Sequence, residues 1–133
     1  MCRSASDLFG TTEIVNYGED GKSQMNRDDF EKLISAAGIR RAGLRRDKGQ
    51  EYTQGDADVL ANFKKGGLDL DLPAMKIWWV YYKKHQDAVL SFIKSGKEYS
   101  SESIEGRIDD MQVYLDLLRG LVAEHKEKNL KAP

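Results

Sequence analysis

Apolar side chains recur along much of this 133-residue chain at the spacing of three and four residues that places them on one face of an α-helix. The clearest series alternates steps of four and three and consists of Ile104, Ile108, Met111, Leu115, Leu118 and Val122. Such a series is typical of the seam along which a helix packs in a bundle. A second apolar line runs beside it through Val113, Leu117 and Leu121, so we expect this helix to have two packing partners.

Capping residues and glycines predict where the helices begin and end. Four helices are expected near residues 27–52, 56–66, 72–95 and 102–127. The first begins after Asn26, a good N-cap, and Gly38 or Gly43 can break or bend it. Its apolar positions fall at helical spacing and are expected to form its buried face: Phe30, Leu33, Ile34 and Ala37.

The second and third helices carry equally clear signals. Gly66-Gly67 is expected to end the second helix, which buries Val59, Leu60 and Phe63. Asp71 is expected to cap the third helix, and Gly96 to end it. Only about six residues connect the third helix to the fourth, so these two are predicted to pack antiparallel.

The fold class that follows is all-α: a four-helix bundle-like domain with a poorly ordered N-terminal arm. We expect the arm to span residues 1–25, the helical domain 26–128 and a frayed tail 129–133. Hydrophobic residues make up 40% of the chain and charged residues 32%, which excludes wholesale disorder. The chain therefore has enough apolar surface for one core.

Charge and targeting signals narrow the partners. With 21 basic and 22 acidic residues the net charge is −1, so bulk charge does not favour nucleic acid. No apolar stretch approaches the roughly 20 residues of a membrane helix, and no secretory signal is visible. The single cysteine, Cys2, cannot form an internal disulfide, which favours the cytoplasm. Trp78 and Trp79 point to different sides of the third helix, which predicts a homo-oligomer.

The strongest candidate site lies between the third and fourth helices. His85 stands on the aromatic face of the third helix, and Arg107, Asp110 and Tyr114 share one face of the fourth. A histidine and an aspartate that face each other across a helix pair can hold a phosphate, a base or a water molecule. The alternative interpretation is structural: His85 is a core histidine satisfied by Asp110, with Arg107 salt-bridged nearby.

A second cluster surrounds the predicted loop between the first two helices. Lys48 and Tyr52 precede this loop, and Asn62 and Phe63 follow it. Cations and an amide suit an anionic ligand, and either ring can stack on a base, although simple core packing also explains Phe63. The basic cluster of the first helix is interpreted as a solvated face, with an acidic partner or a nucleic-acid backbone as the alternative: Arg40, Arg41, Arg45 and Arg46.

Carboxylate pairs on two facing helices would bind Mg²⁺ in an all-α nucleotide pyrophosphohydrolase. The sequence has Glu102-x-x-Glu105 and Glu124-x-x-Glu127, but both pairs fall on the predicted fourth helix. Twenty-two residues at 1.5 Å per residue separate them by roughly 33 Å, too far to share a metal ion. We therefore expect no cofactor, with Mg²⁺ left open, and a binding role is favoured over catalysis because no complete catalytic set is present.

Four segments together resemble a known group of proteins. They are KGQEY at 48–52, VLANFK at 59–64, KHQDA at 84–88 and EGRIDDMQVYL at 105–115. Over about residues 30–123 the chain resembles small helical proteins of bacteriophages and prophages, of the nucleotide-modification-associated, MazG-like type. The resemblance implies nucleotide handling in the host cytoplasm and singles out Lys48, Tyr52, Asn62, Lys84, His85, Arg107, Asp110 and Tyr114.

Two functions remain open at this point. The first is a phage-type protein that binds, and in one version processes, a nucleotide between the third and fourth helices. The second is a non-enzymatic interaction protein that inhibits a host defence protein or sequesters a signalling nucleotide. The co-location of the candidate side chains favours the first, and the lack of a complete catalytic set favours the second.

Overall fold

The computed structural model describes residues 24–53, 57–98 and 101–131, with side chains at 24–47, 57–98 and 101–130. The all-α prediction is confirmed, because these ranges contain four helices and no strand. The helices are α1 (Arg27–Thr53), α2 (Ala61–Leu70), α3 (Ala74–Ser95) and α4 (Ile104–Lys131). Within the described ranges, none of the four is long and apolar enough to cross a membrane.

The predicted arm, residues 1–25, lies outside the described residues except for Gln24 and Met25. The fourth helix is longer than predicted, because α4 continues to Lys131 and the expected end is at residue 127. The first helix is also simpler than expected, since α1 runs through Gly38 and Gly43 without a break.

Several predicted helix ends are confirmed. Asn26 caps α1, because its side-chain Oδ1 accepts a hydrogen bond from the N–H of Asp29 at 2.8 Å. Gly96 ends α3 in the left-handed conformation at φ 69°, where its N–H donates to the carbonyl of Phe92 at 2.7 Å. Ser103 caps α4, because its side-chain Oγ accepts a hydrogen bond from the N–H of Gly106 at 3.0 Å.

The prediction that Gly66-Gly67 ends α2 is wrong. Both glycines lie inside the helix, which needs them for close approach and not for a turn. A Cβ on Gly66 would lie 3.0 Å from Ile77, and one on Gly67 would lie 2.4 Å from the carbonyl oxygen of Leu72. The helix ends instead at Asp71, at φ 56°, whose N–H donates to the carbonyl of Gly67. Asp71 therefore ends α2 and does not cap α3 as predicted.

Asp58 organises the start of α2. Its side-chain Oδ1 accepts the N–H of Leu60 at 2.9 Å, and its Oδ2 accepts a hydrogen bond from Lys64. Lys64 also donates to Glu124 on α4 at 3.1 Å, so one ammonium group ties the start of α2 to α4. These contacts, the Lys64 hydrogen bond first, lower the pKa of Asp58, and the Asp58 hydrogen bond raises the pKa of Lys64.

The core lies where α2, α3 and α4 meet. Its buried members are Leu60, Phe63, Ile77, Trp78 and Leu121. The prediction for Val59 is wrong, since this side chain is exposed. Trp78 is central: its indole N–H donates to the carbonyl of Tyr114 at 2.6 Å, and its ring stacks on Tyr82 with centroids 4.7 Å apart.

The antiparallel packing of α3 and α4 is confirmed by its contacts. Trp78 contacts Tyr114, and His85, seven residues further along α3, contacts Arg107, seven residues earlier on α4. The face of α4 differs from the prediction. The second apolar line, through Leu121, faces the core, whereas the main series reaches the core through Leu118 and leaves Ile108 and Leu115 exposed.

The interpretation of the basic cluster as a solvated face is incomplete, because Arg40 and Arg45 are exposed but, with Arg41, also pair with side chains of α4. Arg40 Nε donates to Asp109 of α4 at 2.7 Å, and this carboxylate is buried. Arg41 donates to Gln112 at 2.9 Å, and Arg45 donates to Asp116 at 2.9 Å. Polar contacts at successive turns therefore dock the second half of α1 on α4.

The first half of α1 behaves differently. Phe30, Leu33 and Ile34, predicted to form its buried face, are exposed within the described part of the chain.

Candidate functional site

A cavity of about 670 Å³ opens between the second half of α1, the start of α2, the middle of α3 and the first half of α4. Its volume falls within the range of small-molecule sites. Its lining combines apolar, aromatic and charged groups: Leu44, Arg45, Val59, Asn62, Phe63, Tyr81, Lys84, His85, Glu102, Arg107, Asp110, Val113, Tyr114, Asp116 and Leu117.

The structure brings most of the predicted site residues together around this cavity. Six of the eight line it: Asn62, Lys84, His85, Arg107, Asp110 and Tyr114. The side chains of the other two, Lys48 and Tyr52, lie outside the described residues. Two sequence clusters that were recognised separately therefore contribute to one cavity, because the start of α2 lies beside the middle of α3 and of α4.

Aromatic rings form one wall. Phe63 is buried and contacts Tyr81 and Tyr114 edge to face, with ring centroids 6.1 and 6.2 Å apart. The imidazole of His85 lies 5.1 Å from the Tyr114 ring. Phe63 belongs to the core and also lines the cavity. Its position is therefore compatible with core packing and with a ring that stacks on a base. Such a wall suits a flat ring.

The contact with Arg107 favours one tautomer of His85. Arg107 Nη1 donates to His85 Nδ1 at 3.5 Å, and a guanidinium group can only donate. Nδ1 is therefore the acceptor, which leaves the imidazole proton on Nε2. Burial lowers the pKa of His85, and the charge of Arg107 acts in the same direction, against the opposing charge of Asp110. The net direction favours the neutral imidazole.

Asp110 contributes to His85 as a nearby charge that raises its pKa, while the hydrogen bond that the structure shows at Nδ1 comes from Arg107. Arg107 in turn lies 3.3 Å from Glu102, which precedes α4. The result is a chain of polar groups from Glu102 through Arg107 to His85 along one side of the cavity.

Formal charges balance in the described lining. The cations are Arg45, Lys84 and Arg107, and the carboxylates are Glu102, Asp110 and Asp116. Two of these pairs are in contact: Arg45 with Asp116 at 2.9 Å, and Arg107 with Glu102 at 3.3 Å. A cavity of this kind matches a ligand of low net charge better than one that carries many phosphates.

Sequence reasoning missed part of the lining. Tyr81 stands one helical turn before His85, and this spacing, which brings the two side chains to one side of α3, is the signal that could have found it. Leu44 and Arg45 gave no such signal, because their place in the cavity depends on how α1 docks against α4.

The carboxylates do not assemble into a metal site within the described residues, where no group of three or more histidine, cysteine, aspartate or glutamate side chains is placed to hold an ion. No family model matches the chain, and no significant match exists among curated proteins or solved structures. The resemblance to small phage proteins therefore stays a prediction.

Proposed function

We propose that this protein binds a nucleoside monophosphate in the cavity between α3 and α4. The observation that carries the proposal is the combination of an aromatic wall, Phe63 with Tyr81 and Tyr114, and cationic groups at Lys84 and Arg107 in one cavity of about 670 Å³. The wall suits the base, and the cations suit the phosphate.

The charge balance of the lining favours one phosphate over three. A phosphate monoester carries about −1.5 to −2 charges at pH 7. Arg45 and Arg107 already contact Asp116 and Glu102, and each further phosphate adds negative charge that a lining of balanced charge does not offset, so the monophosphate is the least disfavoured nucleotide. The neutral His85 supplies a hydrogen-bond donor at Nε2 without adding charge.

Binding is proposed in place of turnover, because no group of three or more metal-ligating side chains is assembled among the described residues. The proposal places the protein in the cytoplasm, since a chain with one cysteine does not need an oxidising compartment.

The experiment compares a nucleoside with its 5′-monophosphate by calorimetric titration, with and without Mg²⁺. In the wild type we expect the monophosphate to bind more tightly. Arg107→Ala should remove roughly tenfold or more of the monophosphate affinity, because a charged hydrogen bond is lost, and should leave nucleoside affinity little changed. Arg119→Ala is the matched control, an exposed arginine on the same helix outside the cavity.

Melting curves of both variants show whether the loss of the Arg107 contacts to Glu102 and His85 also affects folding. Equal loss of affinity for nucleoside and monophosphate in Arg107→Ala would contradict the assigned role of Arg107. Absence of binding for every base would contradict the proposal as a whole. Binding that requires Mg²⁺ and yields product would show an enzyme instead of a binding protein.

A further inference from the structure

Among the large hydrophobic side chains exposed on α3 and α4 in the described structure, five that are 41–47% exposed share one side of the helix pair, whereas Tyr81 lines the cavity and Val80 and Leu130 lie elsewhere. Trp79, Leu90 and Ile93 lie on α3, and Ile108 and Leu115 lie on α4. They are unusual because α3 and α4 form the centre of the fold, and other faces of both helices are buried. Exposed apolar surface of this extent marks an interaction site.

These side chains lie on one side of the α3–α4 pair. On α3, Ile77 faces α2, where it meets Gly66, and the next residue, Trp78, faces α4. Each further residue turns 100° around a helix, so Trp79 lies beyond α4, on the side away from α2.

The same rotation applies to α4. Val113 lines the cavity, Tyr114 faces α3, and Leu115 lies one step further round. Arg107 likewise faces α3, and Ile108 follows it. Because the two helices are antiparallel, these rotations bring Leu115 and Ile108 to the same side as Trp79, opposite the cavity.

Both helices carry a heptad pattern on this side. On α3 the steps of four and three run through Met75, Trp79, Tyr82, Gln86, Val89 and Ile93. On α4 they run from Ile104 to Val122, the series that the sequence marks as a packing seam. Neither series contains a charged residue. We call the two series together the outer seam; its members Met75, Tyr82 and Leu118 also pack against this chain's own core, and Trp79, Ile93, Ile108 and Leu115 are its exposed apolar members.

We propose that the outer seam is the interface with a second copy of this chain, so that two α3–α4 pairs form an intermolecular four-helix bundle. A heptad seam is built to receive the side chains of another helix, and α1 and α2 pack on the other sides of α3 and α4. Two antiparallel seams side by side are self-complementary about a two-fold axis.

The exposed apolar area supports a second copy of the chain as the partner. The five side chains, each 41–47% exposed, form an apolar patch on the order of a few hundred Å² per protomer. The half-buried members of the outer seam and its polar edges extend this area toward the roughly 800 Å² per partner of a stable interface. Gln86, exposed and polar within the outer seam, fits the role of a residue that fixes register at a cost in stability.

The test is the mass of the full chain in solution, measured by sedimentation equilibrium from micromolar to submillimolar concentration. We expect about 30 kDa for the wild type, twice the 15.1 kDa of one chain. Leu115→Glu should give the single-chain mass, because it places a charge in the outer seam. Val80→Glu is the matched control: Val80 is exposed on α3 next to Trp79 but outside the outer seam, and its variant should stay dimeric.

A wild-type monomer at submillimolar concentration would overturn the proposal, as would a dimer that survives Leu115→Glu or is lost in Val80→Glu. Circular dichroism of each variant reports whether it folds. Gln86→Leu provides an independent arm, because removing the polar group should tighten the dimer by roughly tenfold or more. Unchanged or weaker association of Gln86→Leu would also overturn the proposal.

Discussion

Replacing either of two helix-internal glycines by alanine is expected to change the free energy of unfolding, in opposite directions at the two positions. A Cβ at Gly67 would lie 2.4 Å from the carbonyl oxygen of Leu72, whereas one at Gly43 meets nothing within 4 Å. Real Cβ atoms essentially never come within 3.0 Å of another heavy atom. Gly67→Ala must therefore move the backbone by about 0.6 Å, the difference between 2.4 Å and 3.0 Å. Backbone cannot rotate away as a flexible side chain can.

The magnitudes follow from this geometry. Overpacking costs about 1–3 kcal/mol. The shift also strains the hydrogen bond from the N–H of Leu72 to the carbonyl of Gly67, 2.9 Å long, and such bonds contribute about 1 kcal/mol. Alanine has a higher helix propensity than glycine, which offsets about 1 kcal/mol of this loss. We expect Gly67→Ala to lower the free energy of unfolding by about 1–3 kcal/mol, and Gly43→Ala to raise it by about 0.5–1 kcal/mol.

The assay is urea unfolding followed by circular dichroism, with the two variants measured beside the wild type. Similar m-values would show that the variants differ in stability and not in the extent of unfolding. A Gly67→Ala variant as stable as the wild type would refute the claim that this glycine is required for close approach between α2 and the turn before α3. Loss of stability in Gly43→Ala would refute the contrast between the two sites.

Two further predictions concern His85 and the core. Because burial lowers the pKa of His85 below 6.5, the unfolded chain binds a proton that the folded chain does not, so stability should fall as the pH drops below about 6.5. His85→Gln should flatten this slope between about pH 5 and 7, His125→Gln should retain it, and an equal slope in both variants would contradict the assignment. Leu121→Ala removes a buried core side chain and should cost about 2–5 kcal/mol in urea unfolding. Leu130→Ala, at an exposed position of the same helix, should stay within about 0.5 kcal/mol of the wild type, and similar losses in both variants would contradict the core assignment.

Local signals in the sequence predict the parts of the fold that local chemistry determines. Asn26 and Gly96 act within their own helix turns, so their roles follow from residue type and position. The same reasoning fails at Gly66 and Gly67, because the contacts that require glycine there come from Ile77 and Leu72, which lie outside α2. A glycine kept for close packing looks identical in sequence to one that ends a helix.

In the candidate site, too, the residues placed by local signals could be predicted, and those placed by distant contacts could not. His85 could be placed opposite Arg107 and Asp110 from the sequence, because the short α3–α4 connection makes these helices antiparallel neighbours. The sequence interpretation paired His85 with Asp110, and the structure adds a contact from Arg107 at 3.5 Å. Arg45 could not be placed, since its contact with Asp116 depends on how α1 docks. Heptad spacing identified the series through Leu115 as a seam but not its partner, because the pattern is the same whether that helix belongs to this chain or to another copy.

The central claim, that the cavity between α3 and α4 binds a nucleoside monophosphate, is tested most directly by NMR chemical-shift mapping of the ¹⁵N-labelled chain. During titration with a nucleoside monophosphate, we expect saturable shifts at amides of residues that line the cavity, such as Phe63, Tyr81 and Tyr114, and little change at the exposed Leu68 or Leu130. Shifts that fail to saturate, or that cluster away from the cavity, would contradict the account.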